Sequence, residues 1–589
     1  DYDRQVRYDL AHGLQINAIL LGVPDFYTDG DSISGLHQPI FFDGTDDPAP
    51  GKAINPANPW ARFVYEAVNR YQPGGDLARE VDLPPGAGIR VWEVWNEPDL
   101  DDFWRGSVQD YARLLKVSYI TVKQADPQAE VMFGGLLYPT QRNFMARVLN
   151  VFANDPQADD FNWYFDIAAV HSYADPWRSG WLVLYVRQTM IEFGLNRPIW
   201  LNETGVPVWD DYPGPIWQPQ SPTRATSEQQ AYYLIQSAAY AWAEGAEKVF
   251  FHQLYDDCGD QPAGTDFPVH TGELCDPTDE TVLCAGDAHG MFRNLAGSVC
   301  FSQHPEPGTP RPVARAYRLL AEVFGRESFA EARQIFIEDR FATFVFERPD
   351  SGQRITLMWN RSVHPGTLRL PAAGQNGQLI SLDGQFMALP DADGSYSIPL
   401  PPADPQQVRP PAPPSDNDND DDDDEDEDSA PGWLPIGGSP HILIEQIDGQ
   451  VRPISVNLDV IDTLPPPQVV ADAPTQPPPR PTTDPAFDTR PPIASVLELP
   501  AVSEPTFTVS WRGIDDGGIA GYLIWVRVNG GDWQPWLETP LDAVELQTSA
   551  VYSGTPGSTY EFAAWAVDLA GNWSENVNLR PQATTHVPE

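Results

Sequence analysis

Two stretches decide the fold: RVWEVWNEP at Arg90–Pro98 and PIWLNETG at Pro198–Gly205. Each is a short apolar run that ends in Asn-Glu and is closed by a breaker, Pro98 in one case and Gly205 in the other. An unbroken apolar run bounded this way reads as a strand buried on both faces of a parallel sheet. In such sheets and barrels, ligands sit beyond the carboxyl ends of the strands, where both glutamates fall. Working outward, four more runs of the same kind appear: Leu14–Gly22, Glu130–Gly134, Phe165–His171 and Glu247–Gln253. Helical periodicity fills the intervals. Val108–Gln124 places Tyr111, Leu114, Leu115, Ser118 and Tyr119 at i, i+3, i+4 spacing, and Ser227 is the expected cap of a helix over Ser227–Glu244. An open doubly wound sheet and a (β/α)8 barrel both satisfy this alternation.

Beyond residue 325 the period changes to two. ATFVFERP, QRITLMWNRS, GTLRLPA, GQLISLDG and GSYSIPLP are separated by Gly, Asp and Pro turns, the pattern of an antiparallel β-sandwich over 326–446. Within it, 402–432 is Pro-rich and then acidic. Asp416–Asp428 alone holds eleven carboxylates and precedes PHILIEQ at Pro440–Gln446, read as the last strand after a disordered insertion. A calcium site is the sharper alternative, but such sites need carboxylates at fixed turn positions with a Gly, whereas a like-charged run repels itself and stays solvated. Residues 447–490 form a second, extended Pro-rich linker, and 491–589 alternate again.

Composition narrows the classes. The 589 residues carry 36 Lys+Arg against 84 Asp+Glu, net −48, and only four lysines, Lys52, Lys116, Lys123 and Lys248. Phosphate binding relies on clustered cations, so a nucleic-acid partner is not expected. No apolar run reaches the roughly 18–20 residues of a membrane span. The cysteines, Cys258, Cys275, Cys284 and Cys300, share one 43-residue window without a C-x-x-C. Local disulfides in an exported protein fit this better than zinc, with free thiols the remaining reading. No organic cofactor or metal is expected. A serine hydrolase finds no G-x-S-x-G elbow.

Two facing carboxylates separate in pKa, one holding its proton near neutrality while the other ionises. That division suits cleavage of a glycosidic bond, which needs an acid at the leaving oxygen and a carboxylate at the anomeric carbon. Glu97 and Glu203 lie 106 positions apart, a distance that accommodates the intervening βα units. Trp95-Asn96-Glu97-Pro98 after one strand and Asn202-Glu203 ending a later one resemble the clan A glycoside hydrolases, closest to family 39 and related family 5 enzymes. The resemblance spans roughly residues 10–325 and extends through the β domain. It implies a TIM barrel with Glu97 as general acid/base at the end of the fourth strand and Glu203 as nucleophile at the end of the seventh. It further implies Asn96 as partner of the sugar 2-hydroxyl, and His171 and Tyr173 lining the sugar subsite. Trp92 and Trp95 are either core or sugar-stacking, and Trp95 is carried as a candidate substrate contact.

The implied reaction is retaining hydrolysis of a neutral poly- or oligosaccharide, since a like-signed field disfavours a polyanionic one. The alternative is a non-catalytic glycan-binding or cell-surface adhesion protein with a decayed barrel. If Glu97 ends the fourth strand, strands one and two lie upstream of Asp1. The six strands left could not close with the usual tilt, so activity of this chain by itself is not assured. The last hundred residues resemble a fibronectin type III domain through Trp511 and the Tyr560–Asn572 pattern Tyr-x-Phe-x-x-x-Ala-x-Asp-x-x-Gly-Asn, whose aromatics are expected to pack in the core. An extracellular or cell-surface location is expected, with the C-terminal module a candidate for polysaccharide or surface association.

Overall fold

The structure is a computed structural model describing residues 2–208 except 30, 31, 82, 85 and 139–142; residues 211, 225–256, 289–293 and 306; 308–404 except 326, 327, 336 and 390–393; 435–447; and 492–588 except 498, 515–518, 532, 540–547, 569–572 and 575–580. The four cysteines, the acidic run and the second Pro-rich linker lie outside these residues. No described helix is long and apolar enough to cross a membrane.

All six apolar runs contain strands: β1 (Asn17–Leu20), β2 (Val91–Val94), β3 (Glu130–Phe133), β4 (Ala168–Tyr173), β5 (Ile199–Gly205) and β6 (Lys248–Phe251). The helices beside them are α1 (Tyr2–Ala11), α2 (Pro59–Tyr71), α3 (Val108–Ala125), α4 (Phe144–Ala153), α5 (Pro176–Glu192), α6 (Ser227–Ala243) and α7 (Pro312–Phe324). The chain forms two compact units, and β4 and β5 each pass from one to the other, dividing at His171/Ser172 and Glu203/Thr204.

In the first unit β1, β2 and β3 pair in parallel, with Asn17 opposite Val91 and Val91 opposite Glu130. Parallel bridges Met132–Ile167 and Leu136–Val170 carry the pairing on to β4. The Ala168 N–H then donates to the Pro198 carbonyl at 2.9 Å, just before β5. Every residue of β2 is buried, which is why its run is apolar on both faces except at Glu93. Helix α3 starts with a capping box, Ser107 and Asp110 each satisfying the other's backbone N–H. Tyr111, Leu114, Leu115 and Ser118 are all buried, as their spacing requires. Its Tyr111 hydroxyl donates to the Val94 carbonyl at 3.0 Å and accepts from the Gly134 N–H at 2.9 Å, tying the ends of β2 and β3 together.

In the second unit, the ends of β4 and β5 join β6, where the His252 N–H donates to the Thr204 carbonyl at 2.8 Å. Helix α6 is capped by Thr226 and not by Ser227: the Thr226–Gln229 capping box places the start one residue earlier than expected, and Ser227 is the first helical residue. The β domain comprises β7 (Glu331–Gln334), β8 (Phe341–Arg348), β9 (Gln353–Asn360), β10 (Gly366–Pro371), β11 (Gln375–Ile380), β12 (Phe386–Leu389), β13 (Ser395–Leu400) and β14 (His441–Gln446). Its large sheet runs β12-β11-β14-β9-β8-β7, and β10 pairs with β13. The strand expected last in the domain is thus interior to the sheet, flanked by β9 and β11. One apolar core joins α6 and α7 to this sheet, with Phe344 and Trp359 stacked at 5.1 Å against Tyr240.

The final region has two sheets. Strands β15 (Ile493–Val496), β16 (Thr506–Ile514) and β19 (Ser549–Ser553) form the first, and β17 (Ile519–Val528), β18 (Gln534–Glu538), β20 (Ser558–Asp568) and β21 (Ala583–Val587) the second. Trp511, Tyr522, Ile524, Tyr560 and Phe562 fill the space between them, so the aromatics of the quoted pattern serve packing.

Candidate active site

The chain turns sharply where β2 ends. Trp95 and Glu97 both adopt left-handed backbone, with φ of 71° and 40°. Non-glycine residues pay about 1–3 kcal/mol each for such a conformation, which persists only where surrounding contacts enforce it. Here the Trp95 N–H donates to the Leu20 carbonyl at 3.1 Å and the Glu97 carbonyl accepts from the Leu100 N–H at 2.9 Å. Asp99, two residues after Glu97, is fully buried. Its carboxylate accepts from the Leu137 and Tyr138 N–H groups at 3.3 and 2.6 Å, pinning the loop after β3 to the loop after β2.

This turn delivers Glu97 to His171 at the end of β4, with Glu97 Oε1 and His171 Nδ1 2.7 Å apart. Glu203 Oε2 lies 3.8 Å from the same nitrogen. A carboxylate oxygen from each glutamate and a ring nitrogen of His171 all fall within 4.8 Å of one another. Three such donors could hold a cation, but one doing so would displace the Glu97–His171 hydrogen bond. Glu97 and His171 are buried, whereas the Glu203 side chain is 23% exposed. His171 has room only because Gly135 faces it: a Cβ there would lie 1.9 Å from Nε2.

Burial pushes the Glu97 carboxyl up, and the Glu203 charge adds to this, while the hydrogen bond and charge of His171 oppose it. Burial would lower His171, but Glu203, Glu97 and Glu93 outweigh it and push the imidazole up to about 10. Burial and the Glu203 charge raise Glu97, the three carboxylates raise His171, and at 2.7 Å the two share a hydrogen bond and titrate as a unit. Among the described residues Nε2 of His171 has no hydrogen-bond partner, while Nδ1 faces both glutamates.

The other sequence candidates fall in different places. Asn96 is buried, at 9% exposure, and its side chain makes no hydrogen bond among the described residues. Trp95 is equally buried, its Nε1 donating to the Phe103 carbonyl at 2.8 Å and its ring packed against Trp60 and Trp104. Its aromatic surface is thereby engaged in packing, and Trp92 is 2% exposed. Tyr173 belongs to the second unit, where its ring meets His252 and His289 at 5.9 and 5.8 Å. The structure therefore brings Glu97, His171 and Glu203 together and gives no such grouping to Trp95.

Sequence reasoning missed Glu93. This fully buried carboxylate of β2 accepts hydrogen bonds from Asn17, Asn202 and the Gly135 N–H. The only signal was a charge in the middle of an otherwise apolar strand, four residues before Glu97.

No protein-family model matches the chain, and no curated protein matches it. Among solved structures, the chain is similar to a family 39 glycoside hydrolase from Bacteroides cellulosilyticus at 15% identity and TM-score 0.42, covering 76% of this chain and 78% of that one. A glucosidase from Croceicoccus marinus matches at 12% identity and TM-score 0.41, covering 76% and 82%. A family 51 α-L-arabinofuranosidase from Bifidobacterium longum matches at 13% and 0.41, covering 75% and 78%. TM-scores below 0.5 assign this chain neither a family nor an activity.

Proposed function

We propose that this chain is a retaining glycoside hydrolase acting on a neutral poly- or oligosaccharide, with Glu203 as nucleophile and Glu97 as general acid/base. The observation that carries the reading is the convergence of Glu97, His171 and Glu203 at the ends of β2, β4 and β5. The two carboxylates stand close together. Donor atoms within 4.8 Å favour the short separation, about 5–5.5 Å between carboxyl groups, at which the second carboxylate attacks directly. The wider spacing of about 6.5–9.5 Å would seat a water between them and invert the product.

The environments match the roles. Glu97 is the more buried carboxyl and holds its proton, as a group that must protonate the leaving oxygen should. Glu203 is more open and lies 3.8 Å from His171 Nδ1, as a group that must reach the anomeric carbon should. In the first step Glu203 bonds to the anomeric carbon as the glycosidic C–O bond breaks, and the proton of Glu97 passes to the departing oxygen. In the second, Glu97 takes a proton from water as that water's oxygen displaces Glu203. Asn96, whose side chain has no hydrogen-bond partner among the described residues, is available to a substrate hydroxyl. On this reading the parallel strands belong to a TIM barrel and the last two sheets to a fibronectin type III-like module suited to polysaccharide or surface association outside the cell.

The test is a panel of 4-nitrophenyl glycosides of neutral sugars with wild type, Glu97→Ala and Glu203→Ala. Each substitution should cut turnover at least about 10⁴-fold. Added azide should restore product in both variants, as a glycosyl azide of retained configuration from Glu97→Ala and of inverted configuration from Glu203→Ala. Unchanged turnover in either variant overturns the assignment, and saturable binding of oligosaccharide without turnover by wild type would instead favour a glycan-binding protein.

A further inference from the structure

Glu93 lies at a junction. Its Oε1 accepts from the Gly135 N–H at 3.0 Å and from Asn202 Nδ2 at 2.8 Å, and its Oε2 accepts from Asn17 Nδ2 at 2.9 Å and from Asn202 Nδ2 at 2.8 Å. Strand β1, strand β2, the turn after β3 and strand β5 therefore meet on one carboxylate that solvent does not reach. Among the described residues the Oδ1 atoms of Asn17 and Asn202 are buried without partners, and Glu93 supplies the only hydrogen bonds of the Asn202 side chain.

A fully buried carboxyl is an expensive way to join strands. Burial pushes Glu93 above its ordinary range, and an apolar side chain in β2 would avoid that penalty, as buried ionic groups replaced by packed apolar ones often do. What the carboxylate provides is direction. Asn202 immediately precedes Glu203, and Gly135 carries the backbone against which His171 Nε2 rests. Both neighbours of the reacting groups are thus oriented by one side chain that no substrate can touch.

We infer that Glu93 is a positioning residue: by gripping Asn202 and the Gly135 N–H it sets the distance between Glu203 and His171 on which the reaction depends. This rests on the reading of Glu203 as nucleophile. Loss of the grip lets the carboxylate of Glu203 drift, and an ångström of misplacement costs about 10²-fold in rate. The charge is separable from the geometry. A glutamine can accept from Gly135 and Asn202 through its oxygen and donate from its amide to the unused Oδ1 of Asn17 or Asn202.

The experiment compares Glu93→Leu, Glu93→Gln and Asn202→Ala with wild type on the 4-nitrophenyl glycoside that wild type cleaves. Active sites are counted with the matching 2,4-dinitrophenyl 2-deoxy-2-fluoroglycoside, and melting temperatures are recorded. The inference predicts that kcat per titrated site falls about 100-fold in Glu93→Leu with KM changed less than threefold. It predicts recovery to within about tenfold in Glu93→Gln and a loss in Asn202→Ala comparable to that of Glu93→Leu. If Glu93→Leu does not fold, Asn202→Ala decides by the same criterion. A kcat per titrated site within twofold of wild type, with only the melting temperature lowered, overturns it. The nucleophile reading fails separately, through activity of Glu203→Ala. Should wild type cleave no glycoside, crystal structures decide: an unchanged Glu203–His171 distance in Glu93→Leu and in Asn202→Ala overturns the inference, and a lengthened one supports it.

Discussion

A proton shared between Glu97 and His171 at 2.7 Å has consequences at the scale of single residues. Burial and the Glu203 charge both raise Glu97, so its acid form survives to higher pH than an ordinary carboxyl with a pKa near 4.3. The sign follows: catalysis by the acid form is lost as pH rises through the titration of the pair. The alkaline limb of kcat/KM should therefore lie well above the carboxylate range, and a limb near pH 4–5 in a pH–rate profile would contradict the shared-proton site. Gly135 bears on the same ring. Gly135→Ala would place a methyl 1.9 Å from Nε2 of a fully buried imidazole, so the ring must move off Glu97. Turnover should drop about 100-fold, and the melting temperature should fall because overpacking a buried site costs about 1–3 kcal/mol, measured by steady-state kinetics alongside thermal unfolding. Of these residues, the two glutamates and His171 were legible from strand-end motifs. Gly135 was not, because its role is a through-space clearance that no local pattern encodes.

At the scale of elements, local rules placed strands and helices well where one signal dominated. The continuous apolar run of β2 became a parallel strand buried at every residue, and the Val108 helix followed its apolar spacing and its capping box. Errors arose where two residues competed for one job. Thr226 and Ser227 can both cap, and the structure selects Thr226 because Gln229 then completes the reciprocal bond. Tyr111 shows what spacing alone leaves out. Its periodicity marks it as core, but its hydroxyl also bridges the Val94 carbonyl and the Gly134 N–H. Tyr111→Phe should cost about 1–3 kcal/mol in chemical denaturation, because the Gly134 donor would be left buried without a partner. A change within experimental error would mean that water replaces the hydroxyl.

On the scale of the whole molecule, the net charge of −48 is not confined to the acidic run, since removing its eleven carboxylates leaves −48 + 11 = −37. The second unit is held by a core that includes helices and β domain alike. Trp359 is 1% exposed, stacks on Phe344 and meets Tyr240 of α6. Gln236 of α6 bonds the Gly437 N–H at 2.9 Å and the Gly437 carbonyl at 3.1 Å, just before β14. Trp359→Ala should therefore cost about 3–5 kcal/mol and lower the unfolding of α6 and the β sheet together. Calorimetry resolving an unaffected transition for the helical part would show that the core is not shared.

By itself the sequence determined the six apolar strands, the change from helical to two-residue period, and the two glutamates with His171 at strand ends. The strands and the two glutamates follow from local periodicity and from breakers next to them in the chain, and His171 follows from the family resemblance. Only the tertiary structure decided that Asp99 is buried, that Trp95 packs among Trp60 and Trp104, and that the Pro440–Gln446 segment enters the sheet between β9 and β11. It alone decided that Glu93 joins Asn17, Gly135 and Asn202. The Glu93 junction depends on groups 42 to 109 residues away meeting in space, and a hydrogen bond at that range leaves no periodic trace in the chain.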